Sequence, residues 1–129
     1  MKTKQVLWMG VVLGASCYMA RRAVTMPPQE PLVRLAELEI DPAQLSAYEA
    51  ALKEEIAASI RLEPGVLKLY AVSVKDHPNQ IRMLEMYRNQ ASYQAHLNAP
   101  HFKRYKTATQ RMVKSLTLIE TEPLLLGER

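Results

Sequence analysis

Between Leu32 and Leu126 the hydrophobic pattern switches repeatedly between strand and helix periodicity, and the order of those switches leaves few folds open. Leu32 to Ile40 alternates, with Leu32, Ala36, Leu38 and Ile40 on one face and Val33, Leu35, Glu37 and Glu39 on the other. A helix start follows at once. Asp41 can accept from the unpaired N–H groups of a first turn, Pro42 suits the first helical position, and Gln44 stands three residues after the cap. Leu45, Tyr48, Leu52, Ile56 and Ile60 then recur at spacings of three and four, which predicts one apolar stripe, with the Glu49 and Lys53 pair opposite it. Glu63-Pro64-Gly65 ends the helix, because Pro opposes its continuation and Gly permits a turn.

Val66 to Lys75 and Ile81 to Arg88 read as two strands of a hairpin, joined by a five-residue turn from Asp76 to Gln80. Asn89 caps a second helical region that runs to about Val113, and Asn98-Ala99-Pro100 divides it by starting a new helical segment. Ser115 to Leu126 forms the last strand, bent near Pro123. The order strand, helix, hairpin, helix, strand is the split βαβ arrangement, so the expected class is α+β: a ferredoxin-like βαββαβ fold with a four-stranded antiparallel sheet. Right-handed crossovers put both helices on one sheet face. The other face needs a cover too, since Leu84 and Met86 oppose Ile81, Met83 and Tyr87. A second copy of the chain, sheet against sheet, is the expected cover, and Leu124-Leu125-Leu126 is expected to pack on that partner.

Charge separates this domain from what precedes it. Four of the seventeen basic residues, Lys2, Lys4, Arg21 and Arg22, lie before residue 27, and all thirteen acidic residues lie after it. The net charge of +4 therefore belongs to the leader, and a neutral domain argues against a nucleic-acid partner. Residues 1–31 have the layout of an export segment: a basic start, an apolar run from Val6 to Ala20, then a polar stretch containing prolines. The run falls short of the roughly twenty residues of a membrane span, as a cleaved signal would. Cys17 after Leu13-Gly14-Ala15-Ser16 resembles a lipoprotein site with its Leu one place early, whereas Arg21-Arg22 has the look of a stop signal for an uncleaved anchor. Either way the chain is expected to be exported, periplasmic or membrane-anchored, and to meet the membrane only through this segment. Residues 32–126 are the expected domain and 127–129 a tail.

Three segments carry a family likeness. Glu63-Pro64-Gly65-Val66, Glu85-Met86-Tyr87 and Ala91-x-Tyr93-x-x-His96-Leu97-x-x-Pro100-His101-Phe102 resemble the antibiotic biosynthesis monooxygenase domain, in particular its quinol-monooxygenase-like branch. The resemblance covers about residues 32 to 126. It implies a dimeric α+β barrel that oxidises a quinol or aromatic phenol with dioxygen and without a cofactor, in a pocket between helices and sheet. His96 is then the candidate base, because its unperturbed pKa is suitably placed, and Tyr87 and Glu85 complete the expected catalytic set. Tyr93, His101 and Tyr105 are the expected substrate contacts. The haem-degrading branch is disfavoured: His96 occupies that branch's Trp position, Lys106 falls near its haem-ligating His, and the first strand holds no Asn.

Plainer roles remain open for the same residues. His96 between Tyr93 and Leu97 also fits a hydrogen-bonded core histidine, His101 a helix-start residue, and Glu85 an ion pair with an arginine. His96 and His101 are five residues apart, a poor match to the i,i+4 pair that shares one helix face, so no metal site is expected. The chain contains no Gly-rich phosphate loop, paired-Cys pattern, GxSxG or HExxH. Beside the monooxygenase reading stand a non-catalytic module for a small hydrophobic ligand, and an isomerase or signal-processing enzyme on the same fold.

Overall fold

The computed structural model describes residues 29–127. The leader expected over residues 1–31 therefore lies, through residue 28, outside the described residues. Strand β1 (Leu32–Ile40) leads through a single 3-10 turn (Pro42–Gln44) into helix α1 (Leu45–Leu62). Strands β2 (Val66–Val74) and β3 (His77–Tyr87) form a hairpin, followed by helices α2 (Gln90–Asn98) and α3 (Pro100–Thr109) and strand β4 (Val113–Glu120). The sheet order is β2-β3-β1-β4 with every pair antiparallel. This is the ferredoxin-like α+β fold expected from the element order.

The capping signals act as their residue types dictate. The Asp41 carboxylate accepts from the Ala43 N–H at 3.0 Å, and the Asn89 side chain accepts from the Ser92 N–H at 2.8 Å. Pro100 starts α3 in the first turn, where its missing N–H is no loss. The divided second helix is thus two helices, with Ala99 extended between them.

Several boundaries and faces differ from the sequence pattern; the second helical region stops at Thr109, short of Val113, and Val113, not Ser115, opens β4. The hairpin turn is only Lys75-Asp76, because Asp76 adopts φ 67°, a left-handed conformation that Asp tolerates and that reverses the chain quickly. His77 to Gln80 consequently extend β3, and Pro78 lies beyond the last β1 partner, Gln80, where no β1 carbonyl requires its N–H. Strand β4 ends at Glu120 and not at Leu126, so Leu124, Leu125 and Leu126 stand outside the sheet and exposed. On α1, Ile60 is exposed, and the buried line is Tyr48, Leu52, Glu55 and Ser59. Hydrophobicity alone chose the wrong end of that stripe: the helix turns a carboxylate and a hydroxyl inward over its last two turns.

The core lies between the helices and the inner sheet face. Ala36, Leu38, Ile40, Tyr48, Leu52, Ile81 and Met83 form one cluster, and Val66, Leu69 and Tyr87 a second, with Ile56 touching both. Each large apolar side chain so buried contributes about 1.5–3 kcal/mol against exposure. The outer face keeps Leu35, Tyr70, Val72 and Ile119 in solvent.

Gly65 brings the start of β2 against α2. A Cβ there would overlap the Ser92 side chain, and Arg88 N–H reaches the Gly65 carbonyl at 2.8 Å. Gly65→Ala is expected to push α2 away and cost about 1–3 kcal/mol of stability, read as a lowered urea midpoint with unchanged slope.

Candidate active site

The end of α1 and the break between α2 and α3 meet at one oxygen atom. Glu63 stands at the C-cap of α1, held in extended conformation by the turn into β2. Its Oε2 lies 2.9 Å from His96 Nδ1 and 2.7 Å from His101 Nε2. Both histidines are buried. Their five-residue spacing does not separate them, because the chain leaves α2 at Asn98 and restarts at Pro100, which turns His101 back toward His96. In one unbroken helix the same spacing would hold the two rings on different faces. On the other edge of the His96 ring, Nε2 is 3.8 Å from Glu55 Oε1, which also accepts from the Ser59 hydroxyl at 2.6 Å. Glu55, His96 and His101 offer atoms within 4.8 Å of one another, close enough to surround a cation, yet His96 Nδ1 and His101 Nε2 both already face Glu63.

His96 Nδ1 and His101 Nε2 point at the same oxygen, and an ionised carboxylate can only accept there, so each nitrogen donates. That assignment makes Nδ1 the protonated nitrogen of His96 and leaves its Nε2 as a lone pair when the ring is neutral. Burial works against charge on Glu63, but hydrogen bonds from His96 and His101 outweigh it and hold the carboxyl below its ordinary range.

His96 forms part of the wall of a cavity of about 170 Å³ between α1, α2, α3 and the sheet. Aromatic rings stack around it: Tyr87 and Phe102 lie 5.3 and 4.5 Å from the His96 ring, and Tyr93 lies 5.1 Å from Tyr87. Glu85, Tyr87, Tyr93, His96 and Tyr105 all line this cavity; His101 does not, and sits behind His96. The Tyr87 hydroxyl donates to Glu85 at 3.0 Å, and the Tyr48 and Tyr105 hydroxyls are 2.7 Å apart. Leu116 and Leu118 on the inner side of β4 form an apolar mouth beside Lys106 and remain partly exposed.

Burial pushes the Tyr87 and Tyr105 hydroxyls well above the usual tyrosine range, helped by Glu85 and Tyr48 respectively. Burial also raises the Glu85 carboxyl, against the opposing hydrogen bond from Tyr87. The tyrosines are therefore donors at any physiological pH. Two residues escaped the sequence reading. Glu55 had a legible signal, its i+7 position after Tyr48, but was overlooked as a polar residue on a helix. Arg34 sits at the inward parity position of β1, opposite Glu85. It is buried, with its guanidinium 4.5 Å over the Tyr93 ring and Nη1 3.3 Å from Glu120, while its Nε lacks a partner among the described residues. A cation interrupting an apolar alternation was the available sign.

Residues 31–108 match the family model described as antibiotic biosynthesis monooxygenase. A solved structure from Bacteriodes thetaiotaomicron, provisionally named an antibiotic biosynthesis monooxygenase, is 48% identical and superposes with a TM-score of 0.76 over 80% of this chain and 98% of that one. One from Lactobacillus acidophilus, provisionally named a monooxygenase, is 32% identical with a TM-score of 0.67, over 68% of this chain and 42% of that one. A Pseudomonas aeruginosa structure at 23% identity shares the fold, with a TM-score of 0.71 over 78% of this chain and all 100% of that one. Among curated proteins nothing matches.

The two carboxyls respond to pH in opposite senses. Glu85, raised on folding, favours the folded state below the ordinary carboxylate pKa and loses that contribution as pH rises through its folded pKa. Glu63, lowered on folding, contributes above the ordinary range and loses it as pH falls. Glu85→Gln is accordingly expected to raise Tm at pH 7, with the gain shrinking toward acid pH. A Tm of Glu85→Gln below that of wild type at pH 7 would contradict the assignment.

Proposed function

The chain belongs to the antibiotic biosynthesis monooxygenase family, and on that premise we propose that it is a cofactor-independent monooxygenase that oxidises a quinol or aromatic phenol with dioxygen. The observation that carries this reading is the His96 ring fixed by Glu63 at Nδ1 on the wall of an aromatic-lined cavity. A base so oriented serves a reaction whose first demand is removal of a phenolic proton. The cavity volume suits one substituted aromatic ring, comparable to cavities of about 150 Å³ that hold benzene.

In this reading His96 Nε2 takes the hydroxyl proton, and the phenolate is electron-rich enough to pass one electron to dioxygen. The phenoxyl radical and superoxide combine at a ring carbon. Loss of water from the resulting hydroperoxide leaves one oxygen atom on the ring as a quinone carbonyl and releases the other as water. Glu85 holds the single Tyr87 O–H before substrate arrives, and Tyr87 turns that proton from Glu85 to the oxyanion as the phenolate forms. Tyr93 and Tyr105 contact the ring, with Arg34 holding Tyr93 from behind.

The same proposal includes a homodimer. Leu35, Tyr70, Val72 and Ile119 expose an apolar outer sheet face, which a second copy would cover, and the exposed Leu124 to Leu126 would then pack on the partner. Export through the N-terminal segment would place the enzyme beside membrane quinols.

Oxygen-electrode assays with a panel of reduced quinols are expected to show uptake. His96→Ala should lower kcat about 10²- to 10⁴-fold and Tyr87→Phe about tenfold or more. Wild type inert on every quinol, or variants as active as wild type, would refute the catalytic reading. Light scattering at micromolar concentration is expected to give twice the chain mass, and a monomer would refute the dimer.

A further inference from the structure

Glu63 and His101 face two ways. On one side Glu63 holds His96, which lines the cavity, while His101 holds Glu63; on the other both line a separate surface groove with Ser92, Ala95, Arg88 and Arg104. No residue lines both the cavity and this groove, and the hydrogen bond between His96 and Glu63 is what joins them. The cavity's own mouth is a poor exit for a proton. Leu116 and Leu118 there are apolar, and the titratable group beside them, Lys106, is a cation. A ring seated in about 170 Å³ would also leave little room for water.

We propose that Glu63 is the proton outlet of the site: a phenolic proton taken up in the cavity leaves through His96 and the Glu63 carboxylate to water in the groove, with His101 as the positioning residue that holds the carboxylate. The idea rests on the monooxygenase reading only for the identity of the phenol. Each transfer balances. The substrate O–H breaks as an N–H forms at His96 Nε2; the Nδ1–H breaks as an O–H forms at Glu63 Oε2; that O–H then yields its proton to a groove water. His96 is left protonated at Nε2, as a donor to the phenolate oxygen. It is reset when that proton departs in the product water and one returns through Glu63.

The geometry suits this traffic. His101 donates to the same oxygen, so the carboxylate keeps one fixed partner while the other bond changes protonation. The hydrogen bond from His101 favours the ionised carboxylate, so the outlet empties after each transfer. The groups facing His96 among the described residues are Glu63 at the C-cap of α1, Glu55 on α1, Tyr87 and Glu85 from β3 and Phe102 from α3. Of these, Glu63 alone reaches the groove.

Anaerobic temperature-jump relaxation with p-nitrophenol tests the outlet without any oxygen chemistry, following phenolate absorbance and a pH-indicator dye in weak buffer. Wild type is expected to form phenolate and release the proton to bulk at one common rate. Glu63→Gln and Glu63→Ala should slow both signals at least about tenfold with p-nitrophenol still bound, and acetate should restore the rate in Glu63→Ala only. Ala95→Trp, which covers the groove without touching the cavity, should slow proton release as well. Phenolate formation at the wild-type rate in Glu63→Gln, or unchanged release in Ala95→Trp, overturns the proposal. Normal ionisation alongside failure to oxidise any quinol would count against the monooxygenase reading alone.

Discussion

One carboxylate oxygen ties this site together. Glu63 Oε2 binds ring nitrogens from two helices while belonging to the end of a third. A half-buried carboxylate without such donors would carry a desolvation cost, and two buried imidazoles would lack an acceptor. Together the three groups satisfy one another. The arrangement explains why Pro64-Gly65 must turn sharply after Glu63 and why Pro100 must restart the helix where it does: each fixes the direction from which a partner arrives.

The rest of the pocket is organised around this polar centre. Toward Ile40 and Leu52 the space between α1 and the sheet is filled by apolar side chains, and toward Glu55 and Ser59 by hydrogen-bonded ones. The cavity lies where the two regimes meet. Burial and a neighbouring oxygen keep Tyr87 and Tyr105 protonated, while Arg34 supplies the nearby positive charge that Glu85 lacks in direct contact.

Much of the fold was legible because short-range rules govern it. Strand β1, the Asp41 and Asn89 caps and the helix break at Pro100 stand where turn chemistry and periodicity put them. The turn at Asp76 was read too long because a left-handed Asp leaves no mark in composition. The candidate site was legible in part. His96, Tyr87, Glu85, Tyr93 and Tyr105 do line one cavity. His101 was assigned to it and lies behind it, and Arg34 and Glu55 were missed. Those three depend on how elements pack, and a polar residue turned inward looks, in one sequence, like a polar residue turned outward.

The break at Ala99 has a dynamic consequence. Since His101 rides on α3 and His96 on α2, the clamp on Glu63 exists only while α3 is docked against α1. Short helices at the periphery of a domain open in partial unfolding events long before the sheet does. An excursion of α3 alone would take His101 from Glu63 and Phe102 from one side of the His96 ring, leaving Glu63 with His96 as its one remaining donor and the four strands still paired. The chemistry of such a molecule would therefore be lost at a lower free energy than its fold, and amide protection in α3, more than global stability, would set the range of conditions in which the site exists.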